Sequence, residues 1–455
     1  MRRSAVLIFI LSVIAMLALV SAVFPSGGVK AGALELRFPS VSDILEGAEP
    51  EQARVSPEEL LESRKEAVRK AEDDRFKGFF DSDPARFYLP SDDPAFFDPI
   101  FEALENAKRN PVRIIHYGDS QIEEDRITSA IRDALQERFG GDGQGMLPAR
   151  RYFTPAMAVS ASSELERFTV FGEKPEGLRQ FGPYGDFVHL DTTMTVSFSP
   201  VRSRGKGQKL FNRLTLVAGN IEGTLTAGCG GRSVSLEGDG PIEKAVFQLP
   251  DSSAKASLSL SGHADIYGIL LDTDSGVRVD NVAMRGCSGL VFTAMDAAQL
   301  RSFYREENVR LILLQYGGNT VPYISTTKAV SGYASSVRRQ LRYLHKLAPQ
   351  ATLVFIGPSD MSTSIDGKRQ TYPVLPELVD SLRAAAVSEN AAYWDIYGAM
   401  GGRDSMLDWV GAAPPLAGSD YVHFTPRGSA RVGEMFSDSF LLYYDYYLWR
   451  KKNEK

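Results

Sequence analysis

Ser120 ends the tetrapeptide Tyr117-Gly118-Asp119-Ser120, which follows directly on the apolar run Val112-Arg113-Ile114-Ile115-His116. A short β-type run that ends in Gly-Asp-Ser and passes into a helical pattern (Ile122, Ile127, Ala130, Ile131, Leu135) predicts a strand, a turn and a helix in succession. A serine so placed projects from the top of a sheet at a helix N-terminus. There its own backbone N–H can face a developing oxyanion, and the helix dipole favours negative charge nearby. The chemistry this points to is acyl transfer through a serine nucleophile. Gly-Asp-Ser alone is a weak signal, because such tripeptides occur by chance in many loops; its weight comes from two partners downstream.

The first partner is Gln315-Tyr316-Gly317-Gly318-Asn319, after another buried-strand run, Val309-Arg310-Leu311-Ile312-Leu313-Leu314. Paired glycines let backbone approach a reacting group closely, and the Asn319 amide can donate to an oxyanion. The second partner is Asp420-Tyr421-Val422-His423-Phe424-Thr425-Pro426. An Asp and a His three apart, on a loop before a helix, can hydrogen-bond so that the carboxylate fixes the imidazole tautomer. That histidine can then deprotonate the serine.

Gly118-Asp119-Ser120, Gly317-Gly318-Asn319 and Asp420-x-x-His423 together resemble the blocks of the SGNH (GDSL-type) hydrolases, which are esterases and acylhydrolases. The remaining block of that family, a glycine after the second strand, is matched by Asn281-Val282-Ala283-Met284-Arg285-Gly286-Cys287-Ser288-Gly289. The resemblance implies that Ser120 is the nucleophile and that His423 is the general base, oriented by Asp420. It implies an oxyanion hole made by the N–H of Ser120, the N–H of Gly289 and the side chain of Asn319, with Gly286 a rival to Gly289. It also implies an α/β fold of the flavodoxin-like kind, a parallel sheet with helices on both faces, and no cofactor.

The elements that must position these residues are legible around them. Residues 100–152 read as the first part of the catalytic domain and 275–449 as the second. In the second part the strand runs Val277–Ala283, Leu311–Leu314, Thr352–Pro358 and Ala392–Ile396 alternate with helical patterns at Ala334–His345 and Leu375–Ser388. Alternating β and α predicts a parallel sheet covered on both faces, with catalytic groups at the C-terminal ends of its strands. Between them, 153–274 is broken into short alternating runs separated by Gly, Asp, Asn and Ser turns. This pattern predicts an inserted all-β sandwich. Placement and strand pattern resemble the β-sandwich insertion, akin to a carbohydrate-binding module, of bacterial peptidoglycan O-acetylesterases in this superfamily. Such an insert would add contacts to a polymer or act as a lid that shapes the site. Ile266–Asp272 is expected to return the chain to the catalytic sheet, and Gly140–Gly145 to be a flexible loop at the mouth of the site.

The chain has 455 residues, 43% hydrophobic and 24% charged, with a net charge of −6. That length suits two domains with appendages. It has no basic block of the kind nucleic-acid binding needs. Met1-Arg2-Arg3 precedes an almost unbroken apolar run from Ala5 to Phe24. This reads as an export signal or, preferably, an uncleaved membrane anchor that leaves the bulk of the protein outside the cytoplasm. Residues 25–99 read as a linker with a charged spacer helix from Ser56 to about Phe76, and 450–455 as a basic tail. The two cysteines, Cys229 and Cys287, read as separate buried thiols, pairing being the alternative in an exported protein. The Cys and His residues form no cluster with metal-ligand spacing, so no metal is expected. His116, His189, His263 and His345 read as structural, although His116 lies close enough to the nucleophile turn to line the site.

The expected activity is therefore a carbohydrate O-acetylesterase of the cell envelope or periplasm, with an acetylated glycan such as peptidoglycan as partner. O-acetyl transfer onto an exported polysaccharide, and a non-catalytic glycan-binding envelope scaffold, are the alternatives.

Overall fold

The computed structural model describes residues 3–25, 28–31, 34–36, 70, 73–172, 174–201, 208–238 and 240–453. The chain divides into two compact units, Met1–Arg75 and Phe76–Lys455. The first holds a 21-residue helix, Arg3–Val23, and a small antiparallel pair, Val29–Ala31 with Leu34–Leu36. Counted over the described residues, no helix is long and apolar enough to cross a membrane; the side chains of that first helix are described from Ile8 onward. Most of the spacer helix expected from Ser56 lies outside the described residues.

The second unit is built on a sheet of six strands among the described residues. Their order is Val277–Ala283, Val112–Gly118, Val309–Gln315, Thr352–Ile356, Ala392–Trp394, Phe87–Tyr88. The first five run parallel, and Phe87–Tyr88 is an antiparallel edge. Counting the parallel strands along the chain gives the order 2-1-3-4-5, the flavodoxin-like arrangement with its switch point at the first strand. Val112–Gly118 is buried along its whole length, as a strand covered on both faces must be. One face is packed by Asp98–Glu105, Thr128–Phe139 and Pro426–Asn453, which bury Phe101, Ile131, Leu135, Phe436 and Phe440. Ala297–Glu306, Thr327–Leu347 and Leu375–Ser388 cover the other, burying Phe303, Leu341 and Leu382.

Four readings of the sequence change here. The catalytic unit reaches back beyond residue 100, because Phe87, Leu89 and Phe97 are core residues and Phe87–Tyr88 extends the sheet. Arg450, Lys451 and Lys452 are no separate tail. They form the last turn of the Pro426–Asn453 helix, where cations suit the dipole. Ile266–Asp272 does not rejoin the catalytic sheet; it is the far half of one long insert strand, Ala256–Asp272, paired antiparallel with Phe211–Cys229. Only Val277–Ala283 returns. The Gly140–Gly145 cluster, read as a mouth loop, leads into a buried strand, Gly143–Leu147, on the Ala256–Asp272 edge. Gly145 is there because φ is +74° and a Cβ would stand 2.3 Å from the Val279 carbonyl oxygen.

Among the described residues the β-rich insert is a ten-stranded network centred on Phe211–Cys229 and Ala256–Asp272, extended through Thr193–Pro200 to Met157–Ala161. Its core holds Val196, Phe198, Leu214, Leu216, Leu258 and Leu260. Insert and catalytic domain meet at a buried ionic cluster. Arg113 of the first catalytic strand is fully buried and contacts Asp272 of the insert at 2.5 Å, Asp280 at 2.7 Å and Glu307 at 3.2 Å. Lys244 of the insert reaches Glu307 at 2.8 Å.

Candidate active site

The three strands that carry the sequence blocks end level with one another. Gly118 pairs with Ala283 on one side and with Gln315 on the other. The turns bearing Ser120, Gly289 and Asn319 therefore leave the sheet at one height, at the switch point, where open α/β sheets bind their ligands.

Ser120 opens a short 3₁₀ turn, Ser120–Asp125, and not the α-helix, which begins at Thr128. The turn is broken where Glu124 and Asp125 take positive φ, 57° and 66°. Asp125 is held there by a buried pairing with Arg132, at 2.5 and 2.9 Å, and by the Gln144 amide at 2.6 Å. The dipole of a long helix consequently does not act on Ser120, and the local donors matter more. Asp119 caps the turn, its Oδ1 accepting the Gln121 N–H at 3.0 Å.

Ser120 Oγ lies 2.9 Å from His423 Nε2, and His423 Nδ1 lies 2.8 Å from Asp420 Oδ2. Asp420 Oδ1 also accepts the backbone N–H of Val422 and of His423, at 3.0 and 3.1 Å. Partial burial alone would raise the Asp420 carboxyl. The imidazole and these two N–H groups outweigh it and hold the carboxyl below its usual range. With Nδ1–H donating to a carboxylate, Nε2 carries the lone pair and accepts from the serine hydroxyl. Ser120 is nearly buried, whereas the side chains of His423 and Asp420 are 40% and 51% exposed, so the constellation opens to solvent on its histidine side.

Asn319 and Gly289 meet at Cys287. The Asn319 amide donates to Asp119 Oδ2 at 3.0 Å and to the Cys287 carbonyl at 3.1 Å, while the Gly289 N–H points to Cys287 Sγ at 3.3 Å. Gly289 has φ +78°, and a Cβ there would meet the Tyr316 ring at 2.6 Å. The rival Gly286 is exposed in open space. Cys287 and Cys229 are both free and buried, and burial pushes the Cys287 thiol up to about 11.

His116 does not join the site. It is fully buried, and burial lowers it to about 3 despite its bond to Gln315. As a neutral ring it lies 3.1 Å from Gln315 Oε1 and 2.9 Å from Thr128 Oγ1. Among the described residues no group of three or more His, Cys, Asp or Glu side chains is placed to hold a metal ion.

Sequence reasoning missed two residues. Asp119 is marked in the sequence only by its place in the Gly-Asp-Ser motif, yet it joins the nucleophile turn to Asn319. Gln121 brackets the histidine: its Nε2 donates to the Val422 carbonyl at 2.7 Å and its Oε1 accepts the Phe424 N–H at 3.4 Å. Nothing in the sequence marks a single glutamine 300 positions away as that clamp.

The sheet order and the convergence of the four blocks on its switch point are those of the SGNH hydrolase fold. The profile of the GDSL-like lipase/acylhydrolase family matches residues 253–431. The matched span holds Gly289, Asn319, Asp420 and His423 and leaves Ser120 upstream of it. A solved structure of a peptidoglycan O-acetylesterase is similar in fold, with a TM-score of 0.64 at 20% identity, over 80% of this chain and 99% of that one. A family 2 carbohydrate esterase with a carbohydrate-binding domain, from Corynascus thermopiles (Myceliophthora fergusii), also aligns, at 13% identity over 62% of this chain and 99% of that one, with a TM-score of 0.28. No curated protein sequence matches.

Proposed function

We propose that this protein is a serine esterase that removes O-acetyl groups from an extracytoplasmic glycan such as peptidoglycan. The observation that carries the reading is the relay Ser120 Oγ to His423 Nε2 to Asp420, at 2.9 and 2.8 Å. Ser120 Oγ attacks the acetyl carbonyl carbon as its proton passes to His423 Nε2. The tetrahedral intermediate collapses when His423 returns that proton to the departing sugar oxygen, leaving an acetyl-serine. Water, deprotonated by the same histidine, releases acetate and restores Ser120. The oxyanion is held by the N–H groups of Ser120 and Gly289 and by Asn319; the Cys287 Sγ and Cys287 carbonyl that now accept from Gly289 and Asn319 are neutral and give way to a full negative charge, while the other Asn319 hydrogen stays on Asp119.

The glycan is argued from the β-rich insert and from the fold likeness to a peptidoglycan O-acetylesterase. Export, and anchoring by the N-terminal segment, are argued from the basic flank and the apolar run Ala5–Phe24. Purified protein should release acetate from 4-nitrophenyl acetate and from O-acetylated peptidoglycan, and Ser120→Ala should release it from neither. Activity retained in that variant would end the assignment. Acetyl appearing on an added sugar acceptor in place of free acetate would make the protein a transferase.

A further inference from the structure

Beside the triad lies a cleft of about 1080 Å³ that none of Ser120, Asn319, Asp420 or His423 lines. One edge is Glu123–Asp125, the chain leaving Ser120; another is Asn281–Ala283 with Arg285, the chain leading to Gly289. The opposite wall comes from the insert, including Tyr152, Phe153, Ser160, Arg167, Asp186 and Ser199.

Its floor holds two acceptors with no donor. Gln144 is 1% exposed and Asn281 7%. Both line the cleft, and neither Gln144 Oε1 nor Asn281 Oδ1 accepts a hydrogen bond from the protein. Their amide nitrogens are committed: Gln144 Nε2 to Asp125 at 2.6 Å, Asn281 Nδ2 to the Ile122 carbonyl at 2.9 Å and to Thr128 Oγ1 at 2.6 Å. Neither amide can turn over without losing those bonds, so each carbonyl oxygen is fixed just beneath the cleft surface, where a donor reaches it only as the side chains that cover it part. A buried acceptor left without a donor is costly, and a ligand that supplies O–H or N–H groups removes that cost.

The charges of the cleft are largely spoken for. Arg150 and Arg167 pair with Asp186 at 3.2 and 2.5 Å, and Arg285 pairs with Glu123 at 3.1 Å. With Arg151, Glu124 and Asp125 the lining holds four arginines and four carboxylates, so its charges balance and do not select an anion. Phe153 is 50% exposed, an apolar surface next to polar acceptors, whereas the half-buried Tyr152 already carries the Arg150 guanidinium 5.5 Å from its ring centroid. An acyl chain would cover the Phe153 ring but leave both acceptors unsatisfied. A pyranose ring has hydroxyl donors at its edge and an apolar C–H face, and so meets both demands.

We infer that this cleft binds an uncharged sugar ring of the substrate chain next to the one that bears the ester, with Gln144 and Asn281 as hydroxyl acceptors and Phe153 as the stacking wall. The inference rests on the esterase reading for its purpose, but its test reads binding and not turnover.

The test uses the full chain carrying Ser120→Ala, titrated calorimetrically with chitotetraose and with cellotetraose. At least one should bind saturably. Phe153→Ala and Gln144→Met should each weaken that binding about tenfold, the usual effect of losing one buried contact. Ser160→Trp, at an exposed position of the cleft wall, should fill the cleft and abolish binding. Absence of saturable binding by both tetrasaccharides, or binding unchanged by Phe153→Ala and Ser160→Trp, would overturn the inference and leave the cleft to solvent. Binding without any ester hydrolysis by the wild-type chain would remove the esterase reading and leave this site standing.

Discussion

Asn319 Nδ2 stands 3.0 Å from Asp119 Oδ2, so the residue preceding Ser120 and the asparagine 200 positions later are held as a pair. The carboxylate takes one amide hydrogen and thereby aims the other. In the proposed mechanism Asp119 is thus a positioning residue and Asn319 the donor. Asn319→Ala should lower kcat by about 10²–10³ with a smaller change in KM, as for one oxyanion donor. Equal losses in kcat/KM arising wholly from KM would show that Asn319 binds substrate and does not stabilise the oxyanion.

Asp119 also gives stability a pH dependence of known sign. Burial raises its carboxyl from the ordinary 3.8 to about 6, against the pull of the Gln121 N–H, His423 and Asn319. The folded state therefore holds this proton more tightly than the unfolded chain. The contribution to stability is fully present below about pH 3.8 and is lost as pH rises through about 6. Asp119→Asn has no proton to lose. Relative to wild type, its unfolding free energy should improve between pH 4 and 8 by at most about 3 kcal/mol, less whatever the lost charge-assisted bonds contributed. Urea midpoints at five pH values would measure this, and a difference that does not vary with pH would rule it out.

Ser120→Ala should lower ester hydrolysis by roughly 10⁴–10⁶ while leaving thermal unfolding near wild type, because a turn serine carries little packing. His423→Ala should be nearly as damaging. Asp420→Asn should retain more residual rate, since the base survives without its orienter. If Asp420→Asn were fully active, the 2.8 Å contact to His423 would have no part in catalysis.

Ser120, Asn319, Asp420 and His423 stand out in the sequence because strand, turn and residue type coincide within a few positions at each. Parallel strands buried on both faces leave continuous apolar runs, so Val112–Gly118 and Val309–Gln315 were legible. The edge strand Phe87–Tyr88 was not, being two residues long among prolines and aspartates. Glycine was misread at Gly143–Leu147 because the sequence records freedom of φ and not the neighbouring backbone that requires it. The irregular turn after Ser120 was hidden for a like reason: its left-handed residues, Glu124 and Asp125, depend on Arg132 and Gln144, which no local pattern ties to them.

The insert cannot be treated as a detachable module. Arg113 takes Asp272 from it, and Glu307 takes Lys244. Excision would leave a buried guanidinium short of a partner, and the chain is expected to accumulate as insoluble protein. The point variant separates this from loss of the insert itself: Asp272→Ala should destabilise by about 3–5 kcal/mol, the range for breaking a buried ion pair by removing one side. Because Asp280 and Glu307 also rest on Arg113, replacing Arg113 and Asp272 together by Met and Leu should not recover that loss. A soluble, cooperatively folding protein without the insert would show that the cluster does not couple the two parts.

Gln121 offers the sharpest separation of position from chemistry. It touches neither Asp420 nor the Ser120 hydroxyl, yet its amide binds the carbonyl of Val422 and the N–H of Phe424, the two neighbours of His423. The loop it holds is also tied by the Gly418 N–H to the His423 carbonyl at 2.8 Å, and it contains Tyr421, whose φ of +59° is unfavourable for a side chain of that size. Without the clamp, the loop can relax and the Ser120–His423 distance can lengthen. Gln121→Ala should therefore lower kcat about ten- to a hundredfold on any ester, small or polymeric, because a misplaced base slows every acyl transfer alike. KM should move little. Gln121→Glu keeps the acceptor for Phe424 and loses the donor for Val422, so it should fall between wild type and alanine. A loss confined to glycan substrates would instead make Gln121 a substrate contact, and an unchanged kcat in both variants would show that the histidine loop holds its place unaided.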